Sequence, residues 1–301
     1  MASLVCGSLA FDTITVFPGR FVDQILPGQL HNLNVSFLVP TLRREFGGCA
    51  GNIAYTLKLL GGEPVVLAAL GDDGADYLAH MEKLGVSTDG VFVAADNFTA
   101  QAIIITDASN NQITAFHPGA MQQAHEAGLP ARDDIALAII GPDGREAMIR
   151  RARDLAAAEI PFVFDPGQGL PMFDGDDLRA FIARASWVTV NDYEAKMLCE
   201  RLGMELAELS SSHLSGVIVT LGDQGCEVWE RGVRTHVPGV AAKAVVDPTG
   251  CGDAFRGALL FGLERGWPLV DCATLGNRIG ALKIAFRGGQ NHPVERFVPD
   301  R

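Results

Sequence analysis

Short apolar runs alternate with amphipathic stretches along most of the chain. Residues 3–17 are apolar and β-branched, with Gly7 inside them, and read as one buried strand that continues outward through Thr13-Ile14-Thr15-Val16. Residues 31–39 alternate polar and apolar positions, the pattern of a strand with one wet face. From Asn52 the period becomes helical: Ile53, Ala54, Leu57 and Leu60 share a face, and Gly61-Gly62 close it. Residues 65–70 form a continuous apolar run, as in a strand covered on both faces. A helix follows over 76–84. Residues 98–106 and 112–117 flank the turn-rich Asp107-Ala108-Ser109-Asn110-Asn111 and predict a hairpin.

After the hairpin the pattern becomes a regular strand–helix rhythm. Strands are predicted at 135–140, 162–165, 187–191 and 216–221, and helices at 145–158, 176–185, 192–202, 254–265 and 270–286. This alternation predicts an α/β fold with a mostly parallel sheet. The hairpin stands outside it. With 13–18 and 31–39 it predicts a small separate sheet built from two insertions, at about 13–42 and 96–118, on a single α/β domain spanning 1–301. Residues 288–301 read as a mixed polar tail.

Charge narrows the partners. Lysine and arginine total 24 against 36 acidic residues, a formal net charge of −12. A nucleic-acid binder would carry a basic surplus instead. No apolar run is long enough for a bilayer span, and the N-terminus lacks the basic start of a signal peptide. Cys6, Cys49, Cys199, Cys226, Cys251 and Cys272 are scattered without a C-x-x-C pair, so they read as reduced thiols of a cytoplasmic protein. The histidines show no ligand spacing. Lys196, Lys243 and Lys283 read as surface or pairing residues.

The densest chemistry lies in Asp247-Pro248-Thr249-Gly250-Cys251-Gly252-Asp253. Glycines before an apolar helical pattern let the backbone turn tightly and present successive N–H groups, which suits an anion at a helix N-terminus. A carboxylate in such a place repels phosphate unless it has a task. Two readings of Asp253 stand side by side: a base that accepts a proton from an attacking hydroxyl, or a helix cap. Gly47-Gly48-Cys49-Ala50-Gly51-Asn52 is a second glycine-rich helix entry. Neither a P-loop nor a Rossmann dinucleotide fingerprint is present.

Taken together these motifs resemble the PfkB, or ribokinase-like, family of carbohydrate and nucleoside kinases. The resemblance rests on Gly47-Gly48-x-x-x-Asn52, on Asn191-Asp192-Tyr193-Glu194, on Thr220-Leu221-Gly222-Asp223-Gln224-Gly225 and on Asp247-x-Thr249-Gly250-x-Gly252-Asp253, in that order. It implies a three-layer sandwich around a mostly parallel sheet, with the small sheet as a lid over the site. It implies Asp253 as catalytic base and the amides of Gly250, Cys251 and Gly252 as an anion hole. Asp12, Gly47, Gly48, Asn52 and Phe116 would border the substrate, with Asp12 accepting hydrogen bonds from a ribose diol. Thr220, Gly222, Gly225 and Asn277 would hold ATP. Asn191 and Glu194 would organise Mg²⁺ through water, and Asp247 and Thr249 would lie by a K⁺ site.

The acceptor segment Gly7-Ser8-Leu9-Ala10-Phe11-Asp12 carries Ala10 where ribokinases have asparagine, and this favours a nucleoside with an apolar-walled base. Phe37, Leu38, Ile104 and Phe116 are candidate walls, and Arg43 and Arg44 either reach phosphate or pair with acidic neighbours. The texture of residues 36–48 resembles bacterial adenosine kinases. The expected activity is ATP-dependent phosphorylation of the adenosine 5′-hydroxyl. A sugar kinase of the same family is the alternative, and a non-catalytic nucleoside-binding protein is the alternative of another class. Monomer and homodimer both remain open.

Overall fold

The computed structural model describes residues 1–25 and 34–294. The chain runs β1 (Ala2–Cys6), β2 (Ala10–Val16), α1 (Phe21–Gln24), β3 (Thr41–Gly47), α2 (Cys49–Leu59), β4 (Pro64–Gly71), α3 (Ala75–Leu84), β5 (Ser87–Ala94), β6 (Ala100–Thr106) and β7 (Gln112–His117). It continues through β8 (Ile135–Ile140), α4 (Arg145–Ala157), β9 (Phe162–Phe164), α5 (Gly175–Ile182), β10 (Trp187–Asn191), α6 (Asp192–Leu202) and α7 (Leu206–Ser210). The last elements are β11 (Gly216–Thr220), β12 (Gly225–Glu230), β13 (Val233–Pro238), α8 (Cys251–Leu263) and α9 (Leu269–Lys283).

Among the described residues the large sheet has nine strands in the order β13-β12-β11-β10-β9-β8-β1-β4-β5. Pairing is parallel from β11 to β5, while β12 and β13 fold back antiparallel at one edge. Successive strand side chains alternate between two apolar layers. Val5, Val66, Ala68 and Ile139 pack with α2, α3, α8 and α9. Leu4, Cys6, Val65, Leu67 and Ile140 pack with α4, α5 and α6. A smaller sheet of four strands, β3-β2-β6-β7, stands beside this frame.

The βα rhythm and the hairpin at β6–β7 agree with the sequence reading. The predicted single strand over 3–17 does not. It breaks at Gly7-Ser8-Leu9, so that β1 joins the large sheet and β2 the small one. In the predicted strand over 31–39, residues 31–33 lie outside the described residues and 34–39 are irregular; the strand begins later, at Thr41. The alternation there has another cause, since Phe37 is drawn onto the rings of Phe17 and Phe21 at 5.0 and 5.1 Å between centroids. Three strands, β5, β12 and β13, were not foreseen. The polar tail is also misread at its start: Gly288, Gly289 and Gln290 are buried.

An ion pair between Arg151 of α4 and Asp143 after β8 is sealed beneath the surface, at 2% and 1% side-chain exposure. Removing one member leaves the other charge buried and unpaired, which costs about 3–5 kcal/mol. Asp143→Ala is therefore expected to lower the unfolding free energy by about that amount. Urea denaturation followed by far-UV circular dichroism reads it; a loss within experimental error of zero would show that the pair contributes nothing net.

Candidate active site

Because the central strands run parallel, the C-terminal ends of β1, β9, β10 and β11 open on one side of the sheet, where such folds bind ligands. Asp165 follows β9, and Asn191 ends β10 in register with Thr220 at the end of β11. Asn191 caps α6 through a reciprocal box. Its Oδ1 accepts from the Glu194 N–H at 2.8 Å, and Glu194 Oε2 accepts from the Asn191 N–H at 2.9 Å. One Glu194 carboxylate oxygen remains. Burial raises the pKa of Glu194 against the pull of that N–H.

Helix α8 begins at Gly250, whose φ of 77° is a left-handed conformation that glycine adopts without strain. The N–H groups of Gly250 and Gly252 take no partner among the described residues. The Cys251 N–H does: it donates to Pro248 O at 3.1 Å, so two of the three expected anion-hole amides are free. Asp253 sits in the first turn, half-buried. Asn52 Nδ2 of α2 donates to its Oδ2 at 2.8 Å. Burial raises the Asp253 pKa, offset in part by that amide and by Arg256. Arg256, one helical turn on, grips Asp165 with two donors and also donates to Gly252 O at 3.2 Å.

The small sheet brings Asp12 to the same place. Directly opposed residues of neighbouring strands share a face. Register therefore places Glu45, Asp12, Ala102 and Phe116 in one row across β3, β2, β6 and β7, with Arg43, Ile14, Ile104 and Thr114 in the next row on that face. With strands about 4.8 Å apart, Phe116 lies roughly 10 Å from Asp12. Gly47 ends β3 because a Cβ there would sit 2.5 Å from Asp12 Oδ2. The Asp12 carboxyl is pushed up to about 6 by burial and by the charges of Asp247, Asp253 and Glu45. That coupling puts Asp12 in the same acidic cleft as Asp253.

A buried polar chain backs the cleft. Tyr77 Oη donates to Gly47 O at 2.6 Å. Gln290 Nε2 donates to Tyr77 Oη at 2.7 Å and to Asn52 Oδ1 at 3.1 Å, and His80 Nε2 lies 2.9 Å from Gln290 Oε1. Gly48, with φ 86°, lets the chain turn from β3 into α2. Thr220 Oγ1 contacts Val190 O at 3.4 Å, and Gly222 and Gly225 take φ of 62° and 94° in the loop that follows. Asn277 Nδ2 is used by the frame, donating to Val237 O and Pro238 O at 3.2 and 3.1 Å.

Several expectations change. Phe37 joins an aromatic cluster with Phe17 and Phe21, and Leu38, like Phe116, is exposed. Arg44 pairs with Asp73 at 3.2 Å and lies over the Phe11 ring, and Arg43 faces Glu45. Lys283 is fully buried rather than superficial. Sequence reasoning missed Asp165, Arg256, Tyr77, His80 and Gln290, whose partners are remote in the chain. A buried arginine one helical turn after Asp253 was the one local signal available. The six cysteines are free thiols. Among the described residues no helix is long and apolar enough to cross a membrane, and no three His, Cys, Asp or Glu side chains converge to hold a metal ion by themselves.

Comparison with known proteins fits this geometry. The nucleoside kinase of Burkholderia thailandensis in complex with inosine is 49% identical, with a TM-score of 0.87 over 98% of this chain and 94% of that one. Its ligand-free form is 51% identical, with a TM-score of 0.89 over 98% and 97%. The nucleoside kinase of Methanocaldococcus jannaschii is 27% identical over 271 residues, 89% of each chain. The model of the pfkB family of carbohydrate kinases matches residues 10–296. The chain thus belongs to the pfkB family of carbohydrate kinases and is an ATP-dependent kinase of ribokinase-like fold.

Proposed function

We propose that this kinase phosphorylates the 5′-hydroxyl of a purine ribonucleoside, with adenosine and inosine both within its range. The observation that carries the reading is the shared face of the small sheet. Asp12 offers a carboxylate to a vicinal diol, and Phe116 and Ile104 offer apolar surface to a base two strands and one strand away. A free sugar has no group to fill that second region. The inosine complex of the Burkholderia relative supports a purine there.

In this reading the small sheet is a lid, hinged at Gly47-Gly48, that keeps water from competing with the acceptor hydroxyl. The hydroxyl gives its proton to Asp253 as its oxygen bonds to the γ-phosphorus, and ADP leaves with the electron pair of the broken P–O bond. The free amides of Gly250 and Gly252 receive the charge on the transferred group. Thr220, Gly222 and Gly225 border the nucleotide. Magnesium, when bound with ATP, supplies charge neutralisation of the phosphates. The donor set suits an ion held mainly by phosphate and water, because Asn191 Oδ1 and one oxygen of Glu194 are already committed to the cap.

Four outcomes test this. Coupled ADP release over adenosine, inosine, guanosine, cytidine, ribose and fructose is expected to favour the purine nucleosides; a preference for ribose or fructose over all of them would overturn the nucleoside reading.

Asp253→Asn retains an oxygen for the Asn52 amide but cannot take a proton. Its kcat is expected to fall about 10²–10⁴-fold with nucleoside binding little changed. A variant with near wild-type kcat would reduce Asp253 to a helix cap.

Asp12 must be ionised to accept two hydroxyls. Its carboxyl, raised to about 6, gains a proton as pH falls through that value, so kcat/KM should drop below about pH 6. Asp12→Ala is expected to cost ~1.5–3 kcal/mol per hydrogen bond with adenosine, and less with 2′-deoxyadenosine. Equal losses for the two substrates would show that Asp12 does not read the 2′-hydroxyl.

A further inference from the structure

Lys283 ends α9 and has no exposed surface, alone in this among the described lysines. Its Nζ donates to the carbonyl oxygen of Asp247 at 2.8 Å. Both oxygens of the Asp247 side chain accept hydrogen bonds as well. Oδ1 accepts from the Thr249 N–H and Oδ2 from the Gly288 N–H, both at 2.9 Å. Those N–H groups hold the Asp247 carboxyl below the usual range although burial acts the other way. Cys251 Sγ lies 4.0 Å from the same carbonyl that Lys283 grips. Cys251 stands four positions and Asp253 six positions after that carbonyl, so the ammonium anchors the start of the loop that presents the Gly250 and Gly252 amides. It also stands at the C-terminal end of a fifteen-residue helix, where the peptide dipoles favour a positive charge.

This arrangement does not suit a K⁺ ion coordinated by Asp247 and Thr249. Each Asp247 carboxylate oxygen already accepts an N–H, and its carbonyl accepts an ammonium, so a K⁺ on these oxygens would lie against the positive charge of Lys283. An ammonium is a compact point charge with three donors, comparable to a small monovalent cation in what it does to neighbouring oxygens. We propose that Lys283 is a tethered monovalent cation, which pins the Asp247 carbonyl and balances the acidic loop so that the Gly250 and Gly252 amides are held ready for an anion without K⁺ from solution. It is a positioning residue, acting through the 247–252 loop. The proposal rests on the kinase reading of that loop, and it predicts ion independence where the family resemblance leads one to look for K⁺.

The test compares KCl, NaCl, NH₄Cl and choline chloride at equal ionic strength, on the full-length wild type, Lys283→Ala and Lys283→Met. Wild-type turnover is expected to agree within about twofold in all four salts, since screening is matched. Lys283→Ala should lose roughly tenfold or more in choline chloride, as expected when an oriented charge is removed from a phosphoryl-transfer site, and should recover part of it in NH₄Cl or KCl. Lys283→Met fills the space without charge and should not recover. Melting temperature gives a readout independent of turnover: Lys283→Ala should be stabilised by NH₄Cl or KCl over choline chloride, and the wild type should not. Severalfold activation of the wild type by K⁺ would overturn the proposal. So would full turnover of Lys283→Ala in choline chloride, or a folded Lys283→Ala that no small cation rescues. The wild-type comparison decides even if the alanine variant does not fold. Should the kinase reading of the loop fail, no acceptor, nucleoside or sugar, would turn over in any salt, while the melting comparison would still report on Lys283.

Discussion

The site depends on the grip of Arg256 on Asp165. Asp165 leaves the end of a central strand and Arg256 stands one turn into α8, so the pair fixes where that helix begins relative to the sheet. Both side chains are buried, and a guanidinium is suited to such a place because its planar fork satisfies a carboxylate with two parallel donors. Its Nη1 also takes Gly252 O, so the same side chain that fixes the helix holds the turn carrying the free amides. Asp253 feels this charge. Burial alone would push its carboxyl far toward the neutral form, and Arg256 with Asn52 restrains that shift. A base needs some elevation of its pKa to be effective, and too much would leave it protonated at neutral pH.

Beside the site another buried cation, Lys283, grips the backbone carbonyl of Asp247, as Arg256 grips the Asp165 carboxylate. The chain carries a net charge of −12, and its cleft gathers Asp12, Glu45, Asp247 and Asp253, a poor start for holding a nucleoside triphosphate. Two buried cations reached from α8 and α9 make the cluster tolerable. Neither adds a basic surface patch, which is why composition alone gave no hint of a phosphate-handling protein.

Legibility in the sequence followed locality. The βα rhythm from Ile135 to Thr220 could be read because each strand there is a short apolar run buried on both faces. β5 was hidden by the Asp89-Gly90 pair inside it, which looks like a turn. β13 was hidden because nearly all of its residues are exposed at the sheet edge. The split between β1 and β2 was lost because both halves are apolar and β-rich, and only the change of sheet separates them. At the site, Asp253, Asn52 and Asp12 could be singled out because motifs flank them. Gln290 and Lys283 were not, since the groups that give them meaning lie 238 and 36 residues away. A polar residue in an apparently featureless tail carries no sign of the cavity it will fill.

Some of that missing information was nonetheless present, in the glycines. A Cβ at Gly47 would meet the Asp12 carboxylate at 2.5 Å; one at Gly51 would meet Tyr77 Oη at 2.0 Å; one at Gly289 would meet Asn52 Oδ1 at 2.2 Å. None of the three needs a left-handed backbone, so their common requirement is room. At Gly51 and Gly289 the room is occupied by a polar atom of the chain that runs from Gly47 through Tyr77, Gln290 and Asn52 to Asp253, and at Gly47 by the Asp12 carboxylate. Even an alanine at these positions would displace the proposed diol acceptor itself, or a phenol or an amide of the chain of hydrogen bonds that ends on the proposed base. Close packing makes such a shift costly, because the neighbours have nowhere to go. A glycine beside a helix entry is easily read as a turn former or a cap. Here Gly47, Gly51 and Gly289 instead mark where polar side chains from distant segments must come to rest, and to that extent the sequence does record the outline of the site.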